Sequence, residues 1–175
     1  MAKIPNSVCA GCYAKRGNYR YSNVKEARAS NLALLDDLTA WRDAMIIKIQ
    51  SENVNDYFRW HDSGDIQSVA HLVAIIEIAR ALPSIKFWLP TNEKAILMQT
   101  ARMVTIPQNL VIRLSMPLID MPPLSKAWKL TSVVRSAKGE VHGFECKAPS
   151  NTKKRCGTCR ACWDSSISNI SYLKH

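Results

Sequence analysis

Six cysteines are the residues most able to do chemistry, and they lie in two clusters at opposite ends of the chain. Cys9 and Cys12 form a CxxC pair in Cys9-Ala-Gly-Cys12-Tyr13-Ala14. Cys146 is followed by Cys156, Cys159 and Cys162, and the last three make a CxxCxxC run ending in Trp163. A CxxC turn lets two thiolates converge on one metal ion or cluster. Three cysteines in one tight loop with a fourth nearby suit a cubane iron–sulfur cluster. Two separated CxxC pairs also suit tetrahedral zinc. The spacing therefore predicts a [4Fe-4S] cluster, with zinc as the alternative, drawing on Cys9, Cys12, Cys146, Cys156, Cys159 and Cys162. Four ligands saturate a cubane, so two cysteines are spare. The favoured set joins the two ends of the chain, because an N-terminal loop without an apolar pattern needs a tether. A local set of the four distal cysteines is the alternative. Disulfides compete with both readings, but 175 residues are enough to build a core without staples.

The charge balance points to a partner. Lys plus Arg number 24 against 14 Asp plus Glu, a net charge of +10. Such an excess favours a polyanion, most simply nucleic acid. Lys153, Lys154, Arg155 and Arg160 crowd the distal cysteines and are the nucleic-acid candidates. Lys147 is there too, and Lys15, Arg16 and Arg20 follow the proximal pair. The same cations would equally offset an anionic thiolate-bound cluster.

Hydrophobic residues make up 47% of the chain and charged residues 22%, the balance of a globular protein. One domain over residues 1–175 is expected. The N-terminal stretch has no apolar signal region, and the most apolar run, Val69 to Leu82, is too short and too charged to span a bilayer. A cytoplasmic location follows, with no membrane partner. Oligomeric state is not encoded in any pattern here.

The positioning elements read as alternating strands and helices. Asn23 looks like an N-cap with Glu26 three residues on. Leu34, Leu38, Trp41, Met45 and Ile49 then mark the core face of one long helix, or two, reaching about Gln50. Strands are predicted at Tyr57–His61, Ile85–Leu89, Leu110–Leu114 and Leu130–Arg135, with a further one at Val141–Glu145. Helices are predicted at Val69–Leu82, well buried, and Glu93–Met103, capped by Pro90-Thr-Asn92. The three prolines between Met116 and Lys126 predict an irregular loop. Strand, helix, strand, helix, strand implies an α/β protein: a partial (β/α) barrel or open parallel sheet with a cysteine-rich C-terminal segment. In such sheets ligand groups collect after the carboxyl ends of strands. That rule selects His61, Asp62, Ser63 and Asp65, then Thr91 and Asn92, then Ser115. The His-Asp-Ser-Gly-Asp turn is the most polar of these, though Asp-Ser-Gly-Asp is also common turn chemistry.

These segments, together with Phe87-Trp88 and the CxxCxxCW run, resemble a phage-encoded family known as gene product eighty-eight, over most of the chain. The Cys-Tyr-Ala and Ser-Gly-Asp pieces are also distantly similar to radical SAM enzymes, which use a partial barrel and a cubane cluster. The resemblance implies an iron–sulfur site and a phage origin rather than a reaction. Radical SAM enzymes carry CxxxCxxC, and the position four residues before Cys9 is Pro5. All-cysteine ligation would leave no open iron, which argues against SAM chemistry. Three functions stand side by side: an iron–sulfur protein binding nucleic acid, a radical SAM-like enzyme, and a zinc-stabilised binding module. No Ser-His-Asp order, Walker loop or GxGxxG is present.

Overall fold

The computed structural model describes residues 4–124, 126, 128–148 and 156–174, without the Tyr13 side chain. Four helices and six strands follow in chain order: α1 Ser22–Ala33, α2 Leu38–Glu52, β1 Tyr57–Arg59, α3 Val69–Ala81, β2 Lys86–Thr91, α4 Lys94–Met103, β3 Leu110–Ser115, β4 Thr131–Arg135, β5 Phe144–Glu145 and β6 Asn169–Leu173. The strands form one open, curled parallel sheet in the order β1-β2-β3-β4-β6-β5. The expected α/β class, a partial barrel or open parallel sheet, is therefore observed. No helix among the described residues is long and apolar enough to cross a membrane. The chain divides into two compact units.

One unit comprises Cys12–Phe87 and Glu93–Leu110. Its centre is α3. Ser68 caps the helix by accepting from the backbone N–H of His71 at 3.0 Å. Leu72, Ile75, Ile76 and Ile78 are wholly buried. Each contributes roughly 1.5–3 kcal/mol by leaving water. Pro83 follows the helix, as expected of a residue that cannot donate to its ladder. Asn109 then ties the helix end to the next strand. Its Nδ2 donates to the carbonyls of Ala79 (2.8 Å), Leu82 (3.1 Å) and Ile85 (2.9 Å).

The N-terminal helical region is two helices, the second of the two forms the sequence reading allowed, separated by a 3-10 turn at Leu34–Asp36. Asp37 caps α2 by accepting from the Ala40 N–H at 3.0 Å, which starts a new helix where the apolar periodicity ran on. Helix α1 begins at Ser22, so Asn23 lies inside it, its side chain accepting from the Val24 N–H. Of the expected core face only Ile49 is buried, while Leu34 is 59% exposed. Periodicity identified the apolar stripe, but Leu38, Trp41 and Met45 are only half-buried and Leu34 is left exposed.

The other unit comprises Met1–Gly11, Trp88–Asn92 and Val111–His175. Here β4 pairs with β6 along its whole length, from Thr131 opposite Asn169 to Arg135 opposite Leu173. Strand β6 was not anticipated, although Asn169-Ile-Ser-Tyr-Leu173 alternates as a strand should. It lies between β4 and β5, and β5 is only Phe144–Glu145, shorter than predicted. The polar residues of β6 are bound to the turn before β5. Asn169 Nδ2 and Ser171 Oγ both donate to the His142 carbonyl, each at 2.6 Å. Gly143, at φ +71°, passes so close that a Cβ would sit 2.6 Å from the Asn169 carbonyl oxygen. A glycine is required there.

The N-terminal segment of this unit is held by backbone. Ser7 bridges antiparallel to Leu118 and is fully buried. Val8 N–H donates to the Pro117 carbonyl, and Ile119 N–H to the Asn6 carbonyl, both at 2.9 Å.

Candidate metal centre

The four distal cysteines belong to the unit built on β4, β6 and β5. Cys146 follows β5, and its N–H donates to the Ser171 carbonyl of β6 at 2.9 Å. Cys156 and Cys159 are the ends of a tight turn closed by the Cys159 N–H on the Cys156 carbonyl at 3.0 Å, with Gly157 at φ +57° making the bend. Cys162 sits in a 3-10 turn, Ala161–Trp163. Cys162 is buried and packs with Trp88, Ala161 and Ile170, and Cys146 lies against the same cluster. Trp163 meets Trp88 edge-on at 5.1 Å between ring centroids.

None of the six cysteines is joined in a disulfide. Burial pushes Cys162 up to about 11, against the hydrogen bond from its neighbour Tyr172, whose oxygen is 3.2 Å from the Sγ. Burial raises Cys146 too, and the charges of Cys156 and Cys159 raise it further. Cys146 and Cys156 likewise act on Cys162. Burial and neighbouring thiols thus disfavour the thiolate at Cys146 and Cys162, a cost that a bound cation would relieve. Among the described residues no three His, Cys, Asp or Glu side chains are placed to hold a metal ion. Cys9 is in the same unit, beyond the Ser7 bridge, and Cys12 is in the other.

Beneath the Cys162 turn lies a residue that the sequence reading missed. Arg113 of β3 is fully buried. Its Nε donates to the Cys162 carbonyl (2.9 Å), Nη1 to Ile167 (2.9 Å), and Nη2 to Ala161 (3.1 Å) and Asp164 (2.7 Å). One guanidinium therefore organises the whole 161–167 segment. Among the described residues it forms no ion pair. Burial lowers its pKa, while nearby Tyr172, Cys162 and Asp164 raise it. A signal existed: an arginine in the middle of the otherwise apolar run Leu110-Val-Ile-Arg-Leu114.

The polar turn after β1 belongs to the other unit. His61 has φ 56° and Gly64 φ +90°, so the chain leaves the strand through two left-handed residues. Asp62 accepts from the Tyr19 hydroxyl, and Asp65 Oδ1 from the Ile66 N–H at 2.8 Å. Both carboxylates thus have structural partners. Ser63 is half-buried between them. His61 lies 5.9 Å from His71, which is buried and edge-on to Trp41 at 5.0 Å. Burial lowers the pKa of both histidines, His71 to about 4. His71 Nδ1 accepts from the Gln67 N–H at 3.2 Å, which fixes its proton on Nε2.

Thr91 is the last residue of β2 and is buried; it does not cap α4, whose N-cap is Glu93. Asn92 is half-buried beside it. Ser115 ends β3 and shares a hydrogen bond with Ser132 of β4 at 3.1 Å. Of the basic candidates, Lys153, Lys154 and Arg155 lie outside the described residues. Arg160 Nη1 donates to the Gly157 and Cys159 carbonyls, at 2.8 and 2.9 Å, and so holds the cysteine turn. Lys147 and Arg135 both bind Glu145, one residue before Cys146.

No curated protein and no solved structure matches this chain. A family model, Gene product 88, matches residues 5–165, a span that takes in every cysteine and every polar strand end described above. The chain belongs to the Gene product 88 family.

Proposed function

We propose that this protein holds a thiolate-ligated metal centre, a [4Fe-4S] cluster, on Cys146, Cys156, Cys159 and Cys162. The observation that carries this reading is Arg113: a buried guanidinium, bonded only to carbonyls, directly under the loop that bears Cys162. An unpaired buried cation costs several kcal/mol. Four thiolates around a cubane carry net negative charge and would offset it. By type and spacing the donors suit a cubane, four thiols with three from one loop, and the thiols would have to draw together to bind it, since among the described residues no three are placed to hold a metal ion. Zinc would take the same donors and is the alternative.

The local set is favoured over one that recruits Cys9 and Cys12. The reason for a bridging site was the need to tether the N-terminal segment, and the Ser7–Leu118 bridge already supplies a tether. Bound, a cubane would supply one-electron transfer or a rigid crosslink. The chain's own part is to fix the Cys162 turn through Arg113 and to shield it with Trp88, Trp163 and Tyr172. A radical SAM-like reaction would need an iron without a cysteine, so it calls for three ligands rather than four.

The test is metal and acid-labile sulfide analysis of anaerobically purified protein, with visible absorption. About four irons and four sulfides per chain are expected. One zinc without sulfide selects the zinc module. Neither metal in protein from iron-replete cells overturns the reading. Binding of S-adenosylmethionine to the loaded protein would restore the enzyme alternative.

A further inference from the structure

None of the residues of helix α1 is buried, and all but the half-buried Val24 are exposed. A 12-residue helix is marginal in water unless one face is packed. Here no apolar face is covered; Leu32 is 53% exposed. Two 3-10 turns, Tyr13–Lys15 and Gly17–Arg20, lead into it. From residue 13 to residue 33 the chain carries Lys15, Arg16, Arg20, Lys25 and Arg28 against one acid, Glu26. All five cations are exposed. Among the described residues Arg16, Arg20, Lys25 and Arg28 enter no ion pair. The next acids, Asp36 and Asp37, lie past the helix end, and Asp37 is engaged in capping α2.

The cations are arranged, not merely numerous. Lys25 and Arg28 are three residues apart and share a helix face, from which Glu26 is turned by about 100° relative to Lys25. Arg28 lies over the Tyr19 ring, 5.9 Å from its centroid, which draws its charge toward the leading turn. Tyr19 is itself fixed through its hydroxyl to Asp62. Tyr21, at the junction of turn and helix, is 61% exposed. Exposed tyrosine interleaved with lysine and arginine is the composition of surfaces that stack bases while neutralising phosphates.

We infer that the 3-10 leader and α1 are a docking surface for single-stranded nucleic acid. Arg20, Lys25 and Arg28 neutralise successive phosphates along a helix of about 18 Å, and Tyr21 stacks a base. The surface shares no residue with the cysteine site, and its binding stands or falls without the metal.

The experiment is fluorescence anisotropy with labelled 20-nucleotide oligo(dT), oligo(U) and a duplex of equal length, across salt concentration. Wild type should bind the single strands more tightly than the duplex, with log affinity falling by about 0.7 per neutralised phosphate for each decade of salt. The triple variant Arg20→Gln/Lys25→Gln/Arg28→Gln should bind at least about tenfold more weakly and lose about 2 from that slope. Tyr21→Ala should cost about tenfold with the slope unchanged. All these residues are exposed, and unchanged thermal melting would confirm that the variants fold. The inference is overturned by absent binding at low salt, by full affinity in the triple variant, or by preference for the duplex. It is also overturned if sedimentation shows a dimer that Leu32→Glu dissociates while oligonucleotide affinity stays the same, for then α1 serves self-association. The ratio of oligo(dT) to oligo(U) affinity assigns the strand as DNA or RNA.

Discussion

Arg113 on β3 and Cys162 in the turn before β6 are joined by a 2.9 Å hydrogen bond from guanidinium Nε to backbone carbonyl, 49 residues apart in sequence. Three further carbonyls, those of Ala161, Asp164 and Ile167, take the remaining bonds. The planar fork of arginine can reach all four at once. A strand that would otherwise be apolar thus carries the support of the cysteine loop.

Replacing Arg113 should therefore cost more than an ordinary core change. Arg113→Met takes a donor from four carbonyls, of which those of Ala161 and Asp164 keep a backbone N–H, and a loss of about 3–5 kcal/mol is expected in urea denaturation. Arg113→Lys should recover little, because an ammonium cannot span the same carbonyls. Near-wild-type stability for Arg113→Met would remove the clamp from the account.

The cysteine variants separate the ligand sets. Serine at Cys146, Cys156, Cys159 or Cys162 should each lower iron and sulfide content sharply and reduce stability of the loaded protein, since ligation is coupled to folding. Serine at Cys9 or Cys12 should leave both contents near wild type. Iron loss in the Cys9 and Cys12 variants would instead select the set that joins the chain ends.

His71 gives a pH signature. Its pKa falls from 6.5 to about 4, first because burial disfavours the imidazolium and then because of His61. The unfolded chain takes up the proton at a higher pH than the folded one. Stability is then full above pH 6.5 and declines as the pH falls toward 4. The total loss is about 3 kcal/mol. His71→Gln should flatten this part of the profile when chemical denaturation is repeated at several pH values. An unchanged slope would mean that His71 does not titrate with folding.

Asn109 offers a test of the helix-to-strand junction. Asn109→Ala takes a donor from the carbonyls of Ala79, Leu82 and Ile85, of which Leu82 keeps the Ile85 N–H, and a loss of about 1–3 kcal/mol is expected. Asn109→Asp should cost more, because a carboxylate cannot donate and repels the same oxygens. Equal stability of the aspartate variant would contradict the bonding.

Much of the sheet was legible locally. Short β-branched and aromatic runs at Tyr57, Ile85 and Leu110, separated by helical periodicity, required parallel crossovers, and the run at Leu130 followed after a proline-rich loop. Strand β6 escaped because Asn169-Ile-Ser-Tyr-Leu173 is half polar. Its asparagine and serine are buried only because His142 and Thr131 satisfy them. In the same way Leu34 fits an apolar stripe, yet exposure depends on whether another element arrives to cover it.

The sequence by itself determined the α/β class, the position of most strands and helices, the two cysteine clusters and the excess of positive charge. Each follows from residue type and spacing within a short window. Tertiary structure decided the rest: that β6 enters between β4 and β5, that backbone pairing at Ser7 holds the N-terminal segment, and that α1 stands uncovered. It also decided that a guanidinium from β3 supports the Cys162 turn. These depend on which distant segments desolvate and hydrogen-bond one another, and no local pattern carries that information.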